Sequence, residues 1–266
     1  MSERIYKQNL SYYSMKLLKL GGSVITNKKG RCEANLQNIE ELAKMLAKLW
    51  ENKKRDIVLV HGAGSFGHTL VIEKKLKGIL DQKQQQDAIE VQKECKNLSD
   101  ILILNLKKFG INAQRIAPHE IIESDCARII KIDKEKILQL LKLGIMPVLH
   151  GDMVLDKQWK YSVCSGDQII ARLSKDAQFT ILATDVDGIM AKEKLIEKID
   201  DKNFEDIKKY LKESASPDVT GGMLGKISEL KKSGGKYYIV NAKYPQRILD
   251  IFNGKKTICT EIKFST

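Results

Sequence analysis

Apolar positions recur along the 266-residue chain with two alternating periods. Met15-Lys16-Leu17-Leu18-Lys19-Leu20 is short, apolar-rich and closed by Gly21-Gly22, which predicts a buried strand ending in a turn. Leu36, Ile39, Leu42, Leu46 and Leu49 follow at helical spacing, so a helix is expected over 35–52 with those residues toward the core. A second strand is predicted over 56–60, after which the turn Gly62-Ala63-Gly64-Ser65-Phe66-Gly67 leads toward another helix. Over 84–108 the positions of Ile89, Leu98, Ile101 and Leu102 predict a long helix that buries them. Further strands are expected over 113–117, 145–149, 179–184, 236–241 and 257–262, and further helices over 134–143, 167–174, 203–212, 222–232 and 245–252. The apolar and polar alternation of 153–163 predicts an inserted hairpin.

Strand and helix alternating in this way specify an α/β fold, a layered α/β/α sandwich with a largely parallel central sheet. No low-complexity linker divides the chain and no fixed-period repeat runs through it. Residues 15–266 are therefore expected to form one domain, preceded by a polar extension of residues 1–14.

Charge and composition narrow the function classes. The 46 Lys and Arg outnumber the 34 Asp and Glu, a net charge of +12. The lysines are dispersed in short runs such as Lys53-Lys54-Arg55, Lys74-Lys75 and Lys255-Lys256, with no aromatic interleaving, so the excess reads as solvated surface and not as a nucleic-acid face. No apolar run approaches the roughly 18–20 residues that cross a bilayer, and the amino terminus lacks a secretory stretch. A cytoplasmic protein with no membrane partner is expected. The five cysteines, Cys32, Cys95, Cys126, Cys164 and Cys259, are scattered and are expected to be free thiols, mostly buried. His61, His68, His119 and His150 show no metal-ligand spacing, so no protein-held metal site is expected.

In open α/β sheets ligands gather outside the carboxyl ends of the strands, which directs attention to the loop after each strand. Five loops stand out: Leu20-Gly21-Gly22-Ser23, the stretch His61 to His68, His150-Gly151-Asp152, Thr184-Asp185-Val186-Asp187-Gly188, and Thr220-Gly221-Gly222-Met223-Leu224-Gly225-Lys226. A glycine pair with a hydroxyl residue between strand and helix lets backbone N–H groups approach an anion, although such a pair also serves as a plain tight turn. Lys19, Lys28 and Lys226 near these loops favour the anion reading, because an ammonium neutralises phosphate charge. Gly62, Gly64 and Gly67 also fit the G-x-G-x-x-G spacing of dinucleotide enzymes, with Asp81 as the acidic partner, which keeps a nicotinamide-dependent oxidoreductase open. Gly221 to Lys226 has the wrong spacing for a Walker A loop and is followed by Ile227. At a buried strand end His61 reads as structural, held by a backbone carbonyl, while His68 is placed to meet a substrate anion. Asp167 is either a helix cap, a role that Ser165 could take instead, or a site residue; Asp185 and Asp187 are either turn formers or site residues.

Taken in order, Lys19-Leu20-Gly21-Gly22-Ser23-Val24-Ile25-Thr26 with Lys28, His61-Gly62-Ala63-Gly64-Ser65-Phe66-Gly67-His68, Ser165-Gly166-Asp167, Thr184-Asp185-Val186-Asp187-Gly188 and Asp218-Val219-Thr220-Gly221-Gly222-Met223 resemble the amino acid kinase superfamily. The segment ending Ser65-Phe66-Gly67-His68 is most similar to the isopentenyl phosphate kinase branch. The resemblance implies phosphoryl transfer from ATP to isopentenyl phosphate, with Mg²⁺ bridging ATP phosphates. It implies that Lys19 and Lys226 contact ATP phosphates, that Lys28 stabilises charge developing between donor and acceptor, and that Asp167 orients the lysines. It gives His68 the acceptor phosphate, Gly21, Gly22 and Ser23 the donor phosphates, Ala63 and Gly64 the space between donor and acceptor, and Gly151 the acceptor side. Asp185, Gly188 and Gly222 would serve the nucleotide, and a homodimer is expected. A fosfomycin kinase or another alkyl-phosphate kinase of the superfamily is the nearest alternative. The extension of residues 1–14 departs from the pattern, and Ala63 in the second glycine loop is tolerated by it.

Overall fold

In a computed structural model, which describes residues 15–27, 30–52, 54–191, 194–213, 225 and 227–265, the apolar segment β1 (Met15–Leu20) lies inside an eight-stranded sheet. From edge to edge the sheet runs β12 (Lys198–Asp200), β14 (Thr260–Phe264), β13 (Gly235–Asn241), β9 (Ala177–Thr184), β1, β2 (Ile57–His61), β6 (Met146–His150) and β3 (Ala113–Arg115). From β13 to β3 all neighbours are parallel, whereas β14 pairs antiparallel with β13 and carries β12 with it. The largely parallel expectation holds, with one reversed edge.

Alternation along β1 decides what each layer receives. Leu18 and Leu20 enter the core shared with α2 (Leu36–Glu51), α4 (Gln82–Lys108) and α9 (Pro245–Phe252), while Met15 and Leu17 enter the core shared with α6 (Glu135–Lys142), α7 (Gly166–Leu173) and α8 (Phe204–Glu213). Lys19 has the parity of Met15 and Leu17, which puts it on the side of α7. A third, smaller cluster joins α3 (Gly64–Glu73), α4 and the first inserted strand through Leu70, Val91, Cys95 and Met153.

The predicted hairpin is present as β7 (Asp152–Asp156) and β8 (Lys160–Cys164). It belongs to a four-stranded sheet with a second hairpin, β4 (Ile122–Asp125) and β5 (Arg128–Ile132), that the sequence pattern did not predict. The short strands β10 (Ile189–Ala191) and β11 (Lys194–Ile196) and the single-turn helices α1 (Gly22–Ile25) and α5 (Pro118–Ile121) are also additions. Two core assignments fail. Ile89 is 54% exposed because the buried stripe of α4 runs through Ala88, Val91, Cys95 and Leu98, one residue round the helix. Leu36 is 60% exposed at the first position of α2, where the stripe has not yet met the sheet. Within the predicted helix 222–232, residues 225 and 227–233 are helical and the rest lie outside the described residues.

Asp81, the acidic residue of the dinucleotide reading, is the N-cap of α4: its carboxylate accepts from the Gln84 amide at 2.8 Å while the Gln84 side chain accepts from the Asp81 amide. Asp81→Ala should therefore cost about 1 kcal/mol, seen as a lower urea midpoint at unchanged slope. ATP affinity should not change, and a lost nucleotide affinity at native stability would contradict the capping role.

Candidate active site

Parallel pairing brings the loops after β1, β2, β6 and β9 to one end of the sheet, and one hydrogen bond is repeated between them. The Gly21 amide donates to Ala183 O, the Gly62 amide to Leu20 O and the Gly151 amide to His61 O, each at 2.9 Å. Three of the four loops are thus tied to the strand beside them one residue beyond the sheet. The loops then meet backbone to backbone. A Cβ on Gly22 would lie 2.6 Å from Gly64 Cα, and one on Gly62 would lie 2.6 Å from Gly22 N. Gly64 has φ +51°, and a Cβ there would strike Thr26. The Thr26 hydroxyl donates to Gly22 O at 2.8 Å and accepts from the Ser65 amide at 3.2 Å, joining the two loops. Sequence reasoning gave Thr26 no part, and only its place after the glycine pair could have signalled one.

Above these loops lies a cleft of about 470 Å³. Lys19, 6% exposed, runs past Gly166 into it, and its Nζ lies 3.1 Å from Asp167 Oδ1. Asp167 is free of capping duty because Ser165 caps α7, accepting from the Gln168 amide. The first residues of α3 and α7 both line the cleft, so two helix dipoles add partial positive charge to that of Lys19. Ala63, the N-cap of α3, provides no side-chain cap.

The other end of the cleft is apolar. Val71, Val91, Cys95, Met153 and Val163, members of one apolar cluster, line it, and His68 also lines the cleft. The cysteines are free thiols as expected, but only Cys95 and Cys164 are buried; Cys126 is exposed and Cys32 and Cys259 are half-buried, since neither belongs to a strand or helix stripe. Burial pushes the thiols of Cys95 and Cys164 upward, which makes both inert wall and not nucleophiles.

Asp152 begins β7 with a wholly buried side chain whose Oδ2 pairs with His119 Nδ1 at 2.7 Å. Burial raises Asp152 against the pull of His119, and the hydrogen bond to Asp152 raises His119. The pair spans the wall between the cleft, which Asp152 lines, and a second cavity of about 680 Å³, which His119 lines. His61 is held by a backbone carbonyl as expected, its Nδ1 lying 3.0 Å from Gly62 O, and burial drops it to about 4.

Of the residues singled out in the sequence, Lys19, Gly21, Gly22, Ser23, Ala63, Gly64, His68, Gly151, Asp167 and Asp185 come together around this cleft. Gly188 does not: it packs against Thr260, where a Cβ would lie 2.5 Å from the hydroxyl. Asp187 is drawn away by Asn241 and Arg247, whose hydrogen bonds lower it. Lys28, Gly222 and Lys226 lie outside the described residues. Of the glycines of the dinucleotide reading, Gly62 and Gly64 make the close contacts between loops, and Gly67 packs against Ala63 and Cys95. Among the described residues no three His, Cys, Asp or Glu gather as metal ligands, and no helix is long and apolar enough to cross a membrane.

An α/β/α sandwich whose strand-end cleft joins a buried lysine, two helix N-termini and an apolar wall is the architecture of a phosphotransferase. Residues 14–236 match the amino acid kinase family, and the chain belongs to that family. It is 33% identical over 261 residues to an isopentenyl phosphate kinase of Methanocaldococcus jannaschii, covering 94% of this chain and 98% of that protein. It is 30% identical over 251 residues to an (aminomethyl)furan-methyl phosphate kinase of the same organism, covering 93% of this chain and 97% of that one. An isopentenyl phosphate kinase solved by X-ray methods superposes with a TM-score of 0.79 at 31% identity, over 94% of this chain and 100% of the other. The chain is accordingly an ATP-dependent kinase.

The pH sign of the buried pair can be tested. A histidine raised above its ordinary 6.5 adds stability that is complete below that value and is lost as pH rises through the raised one. His119→Gln should therefore cost more unfolding free energy in urea at about pH 6 than at about pH 9. An equal cost at both would contradict a charged pair.

Proposed function

We propose that the chain transfers the γ-phosphoryl group of ATP to the phosphate of isopentenyl phosphate, giving isopentenyl diphosphate and ADP. The observation that carries this reading is the division of one cleft into a cationic, glycine-lined end and an uncharged apolar end. An oxygen of the acceptor phosphate attacks the γ-phosphorus, and the bond to the ADP oxygen breaks. That oxygen is already ionised near neutral pH, so the reaction needs alignment and positive charge more than a base.

In this reading Gly21, Gly22, Ser23 and Gly64 cradle the donor phosphates, with Asp185 toward the nucleotide. Lys19 neutralises the transferring group while Asp167 orients its ammonium, and that pairing is supported by the 3.1 Å contact. His68, Ala63 and Gly151 face the acceptor phosphate. Lys28, Lys226 and Gly222 are assigned by resemblance: Lys28 to the charge developing in transfer, the other two to the donor. Gly188 is left out, since its contacts are with Thr260. Mg²⁺ fits here as a passenger of the ATP phosphates, because Asp167 is engaged by Lys19 and Asp152 by His119. When bound it would neutralise phosphate charge, held by phosphate oxygens and water. The resemblance also supports a homodimer, which sedimentation would test.

The tail slot separates this acceptor from amine-bearing ones. An aminomethyl group requires a carboxylate, yet Val71, Val91, Cys95, Met153 and Val163 supply none, and the buried Asp152 is committed to His119. With Mg-ATP and a panel of alkyl monophosphates, isopentenyl phosphate should be turned over far faster than ATP is hydrolysed. Conversion of fosfomycin or an aminomethylfuran phosphate alone would overturn the assignment.

His68→Ala should lower kcat/KM for the acceptor about ten- to a hundredfold, the worth of one charge-assisted hydrogen bond, with the ATP KM nearly unchanged. Lys226→Ala should instead impair donor handling. Equal losses toward both substrates in either variant would contradict these roles.

A further inference from the structure

His61 and His150 end β2 and β6, face each other as register partners and are both 0% exposed. By strand alternation they share one face of the sheet, and their rings stack with centroids 5.5 Å apart. Each Nδ1 lies 3.0 Å from the carbonyl oxygen of the glycine that follows it, Gly62 or Gly151. A carbonyl oxygen only accepts, so both rings carry a proton on Nδ1. Both Nε2 atoms are buried and find no hydrogen-bond partner among the described residues. Two unpaired buried polar atoms at adjacent strand ends are a cost that packing alone does not explain.

A trans peptide sets its C=O and N–H on opposite sides. Holding Gly62 O against His61 turns the Ala63 N–H away from the ring, and Ala63 lines the cleft at the uncapped start of α3. Gly151 closes the arrangement from the next strand. Its amide donates to His61 O at 2.9 Å, and a Cβ on it would lie 3.3 Å from Ala63 N. We propose that His61 and His150 are positioning residues: as neutral imidazoles they pin the Gly62 and Gly151 carbonyls and so aim the Ala63 amide at the phosphate moving between ATP and acceptor. This rests on the phosphotransfer reading. Burial, reinforced by the charge of Lys19 near His61 and of Arg115 and His119 near His150, holds the two rings at about 4 and about 3, so neither ring adds a charge of its own at neutral pH.

The full-length chain labelled with ¹⁵N-histidine provides a test that does not use activity. His61 and His150 should show the neutral form protonated at Nδ1, unchanged from about pH 5 to about pH 8. Protonation at Nε2, or titration of either ring in that range, overturns the proposal. In a uniformly ¹⁵N-labelled chain, titration with Mg-ATP should then shift the Ala63 amide strongly in the wild-type chain and in His61→Asn, whose amide replaces the Nδ1 donor, and weakly in His61→Gln and His61→Leu. In turnover of isopentenyl phosphate, the Leu and Gln variants should lose about tenfold or more in kcat with little change in ATP KM, and Asn should recover most of it. An Asn variant no better than Gln, or a folded Leu variant with wild-type kcat, overturns the proposal. If His61→Leu does not fold, Asn against Gln still decides. A wild-type chain that turns over no alkyl monophosphate sinks the phosphotransfer reading, while the tautomer and the Ala63 shift still judge the positioning role.

Discussion

The contact on which the site depends is that of Gly22 with Gly62 and Gly64, backbone against backbone, where a single added Cβ would sit 2.6 Å from main-chain atoms. Two loops from adjacent parallel strands can approach this closely only if neither carries side chains at the contact. The approach does two things at once. It leaves main-chain amides as the surface offered to a ligand, and it brings the starts of α1 and α3 to the same point. Glycine in these loops is thus a packing requirement first. Its use toward phosphate follows from what the packing leaves exposed.

The sheet supplies the rest of the constraint. Strand parity sends Lys19 to the α7 side, where Asp167 waits at the first turn of that helix, and sends His61 and His150 to the opposite side beneath the glycine loops. A single layer of strands therefore separates a charged partner of the cleft from two uncharged ones. Lys19 is nearly buried, and a buried ammonium is tolerated only where a counter-charge meets it. Asp167, the more exposed member of the pair, provides that counter-charge without sealing the cleft.

Features that rest on local pattern were legible in the sequence. The alternation of strands and helices, the inserted hairpin and the convergence of Lys19, Gly22, Gly64 and His68 follow from periodicity and from the rule that loops at strand ends converge, whereas Asp167 is reached only through the family resemblance. Features that rest on which way an element faces were not. Ile89 sits one residue off a stripe that begins with the small Ala88, which an apolar count passes over. Along β5, Arg128-Ile129-Ile130-Lys131-Ile132, no side chain is fully buried and the adjacent Ile129 and Ile130 break the alternation, so the β4–β5 hairpin carries no clean two-residue period. Asp81 and Gly188 matched their motifs by spacing alone, and in space one caps a helix while the other packs on Thr260.

The net charge of +12 illustrates the same division. Surface pairs such as Lys44 with Glu40 and Glu41, Lys96 with Asp100 and Lys131 with Glu123 are screened by solvent, and little stability is gained from each. One lysine in the middle of a buried strand counts for more, because low dielectric and a fixed partner give its charge direction as well as magnitude. A sheet position that turns an ammonium inward is tolerated here because Asp167 meets it at 3.1 Å. In the proposed reading the apolar wall beside it would select the acceptor's tail, since Val71, Val91 and Met153 suit a hydrocarbon and give an amine no partner. On that reading, affinity for phosphate and selection of the tail would be built from separate elements, the first from strand ends and helix starts, the second from α3, α4 and the β7–β8 hairpin.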